Sequence, residues 1–221
     1  CNVTGCDNTA SGAYALYNNT ANQNTAVGAC ALYINTTGTQ NDAVGYLALF
    51  TNSTGNHNSA LGLRSLQNNT SGSHNAGVGT CALLANTTGC RSTGIGFEAL
   101  KSATTGGFNT AVGAYAANQM TVGKCNVVLG GEALFYNTSG CHNTAVGFRS
   151  LQCNSIGCSN TAVGMCSLFA NTTGAQNVAV GYCALRSNTT ADNNTAVGTC
   201  SLFANTTGDS LVAVGLCALK S

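Results

Sequence analysis

The sequence has very few charged residues and contains neither proline nor tryptophan. Aspartate, glutamate, lysine and arginine together make up 6% of the 221 residues, and the formal net charge is +1. This charge gives no electrostatic reason to expect binding to nucleic acid or to an anionic membrane. The chain also lacks the high net charge that favours disorder, and its hydrophobic share of 44% can be buried if it is placed periodically.

Long apolar runs are missing as well. No segment approaches the length needed to span a bilayer, and no signal peptide is recognisable. The sequence begins with Cys1 rather than methionine, which indicates a processed chain or a portion of a longer one.

What the sequence contains instead is one motif, repeated thirteen times. A clear example is Asn24-Thr25-Ala26-Val27-Gly28, and we use its glycine as the marker of each repeat. Successive markers are 16 residues apart once and 17 residues apart eleven times, a period typical of the coil of a solenoid. The marker glycines are Gly12, Gly28, Gly45, Gly62, Gly79, Gly96, Gly113, Gly130, Gly147, Gly164, Gly181, Gly198 and Gly215.

Positions around the marker keep one residue type from repeat to repeat. Asparagine stands four residues before the marker in eleven of thirteen repeats, with Ser92 and Leu211 as the exceptions. The position two before the marker is small, and the position one before it is aliphatic except at Ser11. Leucine stands four after it in twelve repeats, with Ala117 as the exception. The segment Thr-Ala-Val-Gly predicts a strand with valine pointing inward, and the leucines predict the other side of a thin core.

Two further segments complete the coil. Gly-x-x-Ala-Leu is compatible with a second strand or with a single helical turn. Asn-Thr-Thr-Gly predicts a turn in which asparagine bonds its own backbone and glycine adopts positive φ. Asparagines stacked at the strand starts predict an amide ladder. We therefore predict an all-β parallel β-solenoid, a β-roll or β-helix of thirteen coils of roughly 17 residues.

The two ends of the sequence match. Cys1 and Ser221 fall at the same phase of the repeat, and neither end carries a polar capping repeat. We expect a single uncapped solenoid domain over residues 1–221. Open solenoid ends expose core and strand edges, so matching ends predict head-to-tail association into an open filament. At roughly 4.8 Å per coil, one chain would rise on the order of 60 Å.

Thirteen cysteines indicate an oxidising compartment, and their odd number leaves at least one thiol free or paired with another chain. Cys1–Cys6 and Cys153–Cys158 occupy the same motif in the same phase, which predicts a disulfide across each turn. Cys125 and Cys141 lie one column apart on neighbouring repeats and form a further candidate pair. No partner is evident for Cys30, Cys81 and Cys90. The other four cysteines share one column.

One cysteine column runs through four consecutive repeats. Stacked coils place such residues about 4.8 Å apart, within the range that a disulfide tolerates. Cys166–Cys183 and Cys200–Cys217 are the natural pairs, Cys183–Cys200 is geometrically equivalent, and free, small apolar thiols are the alternative. A zinc site is disfavoured because no Cys/His group has finger spacing.

The turns also contain Asn-x-Ser/Thr sequences, most of them in one column. They predict N-linked glycans in a stripe along one edge of the solenoid. The alternative is that the turn itself requires this sequence, whether or not a glycan is attached. Sequons at Asn68 and Asn193 accompany the predicted glycosylation sites, which are Asn2, Asn18, Asn35, Asn52, Asn69, Asn86, Asn137, Asn171, Asn188 and Asn205.

Catalytic, metal and cofactor sites are not predicted. His57, His74 and His142 share one exposed turn position, and Glu132 and Arg149 are predicted to form a weak surface ion pair. The sequence has no nucleophile with a base and no paired carboxylates, and a 17-residue coil leaves no loop on which a catalytic site could be built. We therefore expect that the protein is not an enzyme.

The repeat Asn-Thr-Ala-Val-Gly-x-x-Ala-Leu-x-x-Asn-Thr-Thr-Gly resembles those of phage and giant-virus tail-fibre-like proteins and of bacterial surface fibre proteins. It is more distantly similar to the head repeats of YadA-type trimeric adhesins, which are left-handed parallel β-rolls. The resemblance covers all thirteen coils and implies an elongated extracellular rod, trimeric in some members. The cysteine content departs from most bacterial examples and favours a secreted or eukaryote-associated fibre.

Together these features predict the structural subunit of an extracellular filament, secreted or on a cell or virion surface. Its partner would be itself, end to end, with disulfide staples and N-linked glycans. A receptor-binding fibre or trimeric adhesin shaft is the first alternative. An ice-binding solenoid is the second, because Thr or Ser follows the turn asparagine from Thr20 to Thr206.

Overall fold

The predicted all-β parallel β-solenoid is confirmed by a computed structural model that describes residues 5–220. Each repeat contributes one strand of three residues, and no helix occurs in this described range. The chain divides into two compact units between Phe108 and Asn109. The first unit contains β1 (Thr9–Ser11), β2 (Thr25–Val27), β3 (Asp42–Val44), β4 (Ser59–Leu61), β5 (Ala76–Val78) and β6 (Thr93–Ile95). The second unit contains β7 (Thr110–Val112), β8 (Val127–Leu129), β9 (Thr144–Val146), β10 (Thr161–Val163), β11 (Val178–Val180), β12 (Thr195–Val197) and β13 (Val212–Val214).

Within each unit the strands pair in chain order, and the register follows the sequence repeat. Ala26 lies beside Ala43, and Ala43 beside Ala60, each pair one repeat apart. In the second unit Ala145 lies beside Ala162 and Ala162 beside Ala179. Equal coil lengths therefore place like residues on top of one another, which is the condition for every column described below.

The core is one alanine and one leucine thick. From β2 to β13 the middle residue of each strand is buried, as at Ala43 and Ala162, and the predicted leucine column is buried with it except at its last member, Leu219. Gly94 shows how close the two columns lie, because a Cβ at that strand position would stand 3.3 Å from the Leu83 side chain. A residue larger than alanine or valine has no room between them.

The prediction that the strand valine points inward is wrong. Val44 and Val197 are exposed, while the alanine before each of them is buried. Successive side chains alternate across a strand, so only the central residue of a three-residue strand can face a core of this width. The aliphatic column therefore lies on the outer surface.

The segment Gly-x-x-Ala-Leu is neither a second strand nor a helical turn. It is a run of tight turns in which two non-glycine residues adopt left-handed backbone, as at Leu47 (φ 57°) and Leu49 (φ 50°). Leu47 donates its N–H to the carbonyl of Ala29 in the preceding coil at 3.1 Å. Leu49 donates to Ser65 in the following coil at 3.1 Å. Left-handed geometry costs about 1–2 kcal/mol per residue, and the buried leucine together with these bonds offsets it.

The marker glycines are required on two grounds. Gly130 has φ 140°, a region that side-chain-bearing residues rarely adopt, and a Cβ there would lie 2.5 Å from the backbone oxygen of Gly147. Its neighbour Gly131 has no such constraint, because the nearest atom to a Cβ is a carbon of Phe148 at 3.5 Å. The marker is thus a site where two coils approach backbone to backbone.

Replacing Gly130 with alanine should therefore lower the free energy of unfolding by more than about 3 kcal/mol, since it combines backbone strain with an overlap against immobile backbone. Gly131→Ala is the matched control and should change the free energy of unfolding by less than about 1 kcal/mol. Urea unfolding followed by circular dichroism measures both. Equal losses in the two variants would contradict the proposed backbone contact.

Candidate functional site

The turn edge of the solenoid is built from two asparagine ladders rather than the one that was predicted. In the turn column, Asn52 Nδ2 donates to Asn35 Oδ1 in the preceding coil at 2.9 Å and to the carbonyl of Gly55 in its own turn at 2.9 Å. Both hydrogens of the carboxamide are thereby used. The asparagines of the turn column are Asn19, Asn35, Asn52, Asn69, Asn86, Asn137, Asn154, Asn171, Asn188 and Asn205.

The predicted ladder at the strand starts is confirmed, and it is joined to the first. Asn41 Nδ2 lies 3.2 Å from Asn24 Oδ1, and the same oxygen accepts the Asn41 backbone N–H at 3.0 Å. Asn41 Nδ2 also donates to the carbonyl of Gly55 at 2.9 Å, the carbonyl that Asn52 uses. One glycine carbonyl per turn therefore connects the two ladders.

The turn glycine does not adopt the positive φ that the sequence suggested, because among the glycines of residues 5–220 only the markers have positive φ. What this position of the turn requires is a small residue. A Cβ on Gly55 would lie 2.5 Å from Asn52 Oδ1, so the carboxamide would have to move. Ala191 occupies the same column, and its carbonyl still accepts from Asn188 at 3.0 Å and Asn177 at 2.8 Å. The column therefore selects small residues.

Where the turn ladder is interrupted, one buried polar atom has no hydrogen-bond partner. Ala103 replaces the asparagine after Asn86, and Asn86 Oδ1 is a buried oxygen without a hydrogen-bond partner. Elsewhere that oxygen would accept from the next asparagine, as Asn69 Oδ1 accepts from Asn86 Nδ2 at 2.6 Å. The oxygen of Asn86 thus lacks the partner that the next coil supplies elsewhere, while its Nδ2 keeps the bond to Gly89 in its own turn.

Burial of the turn column argues against most of the predicted glycan stripe in the folded chain. N-linked glycans attach to Nδ2, and the turn-column Nδ2 atoms are buried and hydrogen-bonded along the ladder. A glycan on Asn69, for example, would displace its bonds to Asn52 at 2.7 Å and Gly72 at 2.9 Å. Seven predicted sites are completely buried, namely Asn35, Asn52, Asn69, Asn86, Asn137, Asn171 and Asn188, and their glycosylation stays a prediction.

Three sequons lie on the surface instead. Asn18, Asn68 and Asn193 are exposed. Each stands directly before a buried asparagine, which belongs to the turn ladder in the first two cases and to the strand-start ladder in the third. Asn205 is half-buried and makes the turn-column bonds to Asn188 and Gly208. Glycosylation of Asn18 and Asn205 stays a prediction, and Asn2 lies outside the described residues.

Adjacent asparagines provide a direct test of the ladder. Asn69→Ala removes one carboxamide and leaves Asn52 Oδ1 and Asn86 Nδ2 each one partner short, so the free energy of unfolding should fall by about 2–4 kcal/mol. Asn68→Ala removes only an exposed side chain and should cost less than about 0.5 kcal/mol. Urea unfolding of both variants measures the difference. If Asn69→Ala cost no more than its neighbour, the ladder would not stabilise the fold.

Glycan occupancy should also distinguish the exposed asparagines from the buried ones. When the chain is expressed through a glycosylating secretory pathway, site-resolved mass spectrometry of the folded product should find glycans at Asn18 and Asn68 and none at Asn69 or Asn171. The reason is access to Nδ2, since all four share the acceptor sequence. Glycans on Asn69 or Asn171 in folded material would contradict the buried ladder.

The twelve described cysteines, Cys6 onward, are free thiols in this structure. Across the turn from Cys153, Cys158 Sγ accepts the N–H of Cys141 at 3.1 Å instead of bonding to Cys153. Cys141 Sγ in turn accepts the N–H of Lys124 at 3.3 Å and is not joined to Cys125. The other predicted pairs, Cys166–Cys183 and Cys200–Cys217, are likewise reduced, and Cys1 lies outside the described residues. Disulfide formation on oxidation stays a prediction.

Other surface residues also contact the equivalent residue of the neighbouring coil. The rings of Tyr17, Tyr33 and Phe50 stack with centroids 5.2 Å apart at each step, and the rings of His57 and His74 stack at 4.8 Å. The predicted ion pair is confirmed, with Arg149 Nε 2.8 Å from Glu132 Oε2. A shallow cleft of about 260 Å³ lies nearby, lined by Tyr115, Glu132, Phe135, Tyr136 and Gln152.

The outward aliphatic column and its neighbours form an apolar surface that the sequence reasoning missed. We call it the valine face: the last residue of each strand and the residue that follows the marker glycine. On it Phe148, Met165 and Tyr182 are between 44% and 48% exposed, beside half-buried valines such as Val163. The sequence signal was the period-two alternation of the strand, which places the alanine and the valine on opposite sides.

The turn hydroxyls are used inside the structure. Thr36 Oγ1 donates to the carbonyl of Ser53 at 2.9 Å, and Thr70 Oγ1 donates to Thr87 at 3.0 Å. These hydroxyls link successive coils rather than presenting a regular row of donors to solvent. This use weakens the reason for expecting an ice-binding surface.

Within residues 5–220 no three potential metal ligands converge on one point. No helix in that range is long and apolar enough to cross a bilayer. Comparison with protein-family models, curated proteins and solved structures gives no match for this chain. The resemblance to fibre repeats therefore stays a hypothesis.

Proposed function

We propose that the protein is a structural subunit of an extracellular filament in which copies of the chain stack head to tail. The observation that carries the proposal is the direction of the hydrogen bonds between coils. Thr195 donates its N–H to the carbonyl of Leu211 in the next coil at 2.8 Å, and Gly198 donates to Val180 in the preceding coil at 2.8 Å. A coil of another copy could form these same backbone hydrogen bonds with an end coil of this chain. The bonding pattern therefore favours head-to-tail stacking of copies along the solenoid axis.

Lateral contacts between filaments are supported by the valine face. Contiguous exposed apolar surface commonly marks an interaction site. A second copy of this chain is the partner that fits best, because its own apolar column repeats at the same coil spacing.

An extracellular location is supported by the thirteen cysteines and the exposed sequons at Asn18 and Asn68. A structural role without cofactor is supported by the constant coil length, which leaves no long loop to carry a catalytic site. The fibre resemblance points in the same direction.

The proposal is tested by blocking one axial donor. Val212 holds in β13 the position that Thr195 holds in β12, so its N–H points toward the next copy in the proposed filament. Val212→Pro removes that donor, and Val212→Ala is the control that keeps it. Sedimentation velocity and negative-stain electron microscopy of the purified chain over a concentration range give the readout.

The wild-type chain and Val212→Ala should form long uniform threads, and Val212→Pro should remain in short particles. A wild-type chain that stays monomeric at every concentration would overturn the proposal, as would threads of equal length from both variants. Discrete trimers in all three proteins would favour the adhesin shaft instead.

A further inference from the structure

Four cysteines of the second unit are stacked in one column of consecutive coils. We call Cys166, Cys183, Cys200 and Cys217 the thiol column. Backbone bonds hold the coils together at this column, since Cys183 donates its N–H to Met165 at 3.0 Å and Cys200 donates to Tyr182 at 2.8 Å. The side chains therefore recur at the strand spacing of about 4.8 Å.

The four thiols hold the same position in consecutive coils of a sheet in register, so they lie on one side of the coil. The pKa of Tyr182 is raised mainly by a hydrogen bond with Cys183, with smaller contributions from Cys166 and Cys200. Cys183 is buried, Cys166 and Cys200 are half-buried, and Cys217 is exposed, so shielding from water is greatest at the Cys166–Cys183 pair.

The charged groups beside the column are few. Arg149 precedes Cys166 in the same column, and its pKa is raised chiefly by its hydrogen bond to Glu132, with a small contribution from Cys166.

The column geometry selects one class of ligand. Three thiols in a row do not converge on a point, which excludes a tetrahedral zinc centre. A two-coordinate ion needs its two sulfurs on opposite sides, and two metal–thiolate bonds of about 2.3 Å span about 4.6 Å. That span matches the coil spacing of about 4.8 Å. Thiolates select soft ions such as Cu(I), for which linear coordination by two sulfurs is common.

We propose that the thiol column binds soft monovalent metal ions of the Cu(I) and Ag(I) class, each held between two thiolates of consecutive coils. Each ion displaces two thiol protons to solvent. Four thiols accommodate two ions, one between Cys166 and Cys183 and one between Cys200 and Cys217.

The test compares two double variants that keep the same number of thiols. C166S/C183S leaves Cys200 and Cys217 adjacent, whereas C183S/C217S leaves Cys166 and Cys200 about 9.6 Å apart, two coil steps. Each reduced protein is titrated with Ag(I) in chloride-free buffer under argon. Excess glutathione then removes ions held by single thiols, and native mass spectrometry counts those retained.

The wild-type chain should retain one ion more than C166S/C183S and two more than C183S/C217S. The neighbouring thiols Cys141 and Cys158 are intact in all three proteins and contribute equally. Equal counts in the two double variants would overturn the proposal, as would a wild-type count that neither variant lowers. Circular dichroism verifies folding, and the same pairs made with alanine replace any serine variant that unfolds.

Discussion

A buried asparagine carboxamide that reaches into the adjacent coil is the interaction on which the rest of the structure depends. Two columns of these groups meet at one glycine carbonyl per turn, as Asn41 and Asn52 meet at Gly55. An unpaired buried carboxamide costs about 1–3 kcal/mol, so a shift of one residue in one coil would leave several groups unsatisfied at once. The ladders thereby hold successive coils in register, including the one coil of 16 residues, where Asn35 still donates to Asn19, and this register fixes every other column.

The thin core follows from the same constraint. Backbone approaches backbone at the marker glycines, and only residues up to the size of valine occupy the strand position opposite the leucine column, so apolar burial per coil is small. Hydrogen bonds along the stack connect every coil to the next and add to this limited apolar burial. This division explains the composition: asparagine, threonine, glycine and alanine supply ladders and close contacts, and the few charged residues are confined to the outer surface, as with Arg149 and Glu132.

The period and the residue columns were enough to predict the fold class, the leucine side of the core and the strand-start ladder. They misplaced Val44 because a strand of three residues has only one inward position, and the length of the strand could not be read from the repeat. The turn sequence around Asn69 is compatible with a glycosylation sequon and with a buried ladder, so the sequence alone does not distinguish the two roles. The structure distinguishes them because it shows that the carboxamide is buried and hydrogen-bonded. Left-handed leucines such as Leu49 carry no local signal, because the bonds that stabilise them come from the next coil.

The central claim is that turn-column carboxamides are buried and bonded from coil to coil. Hydrogen exchange of the asparagine side-chain NH₂ groups, resolved by ¹⁵N NMR, measures this directly. The account predicts that Asn52, Asn69 and Asn171 exchange only as the protein unfolds, while Asn18 and Asn68 exchange at the rate of a free amide. Equally fast exchange at all five positions would contradict it.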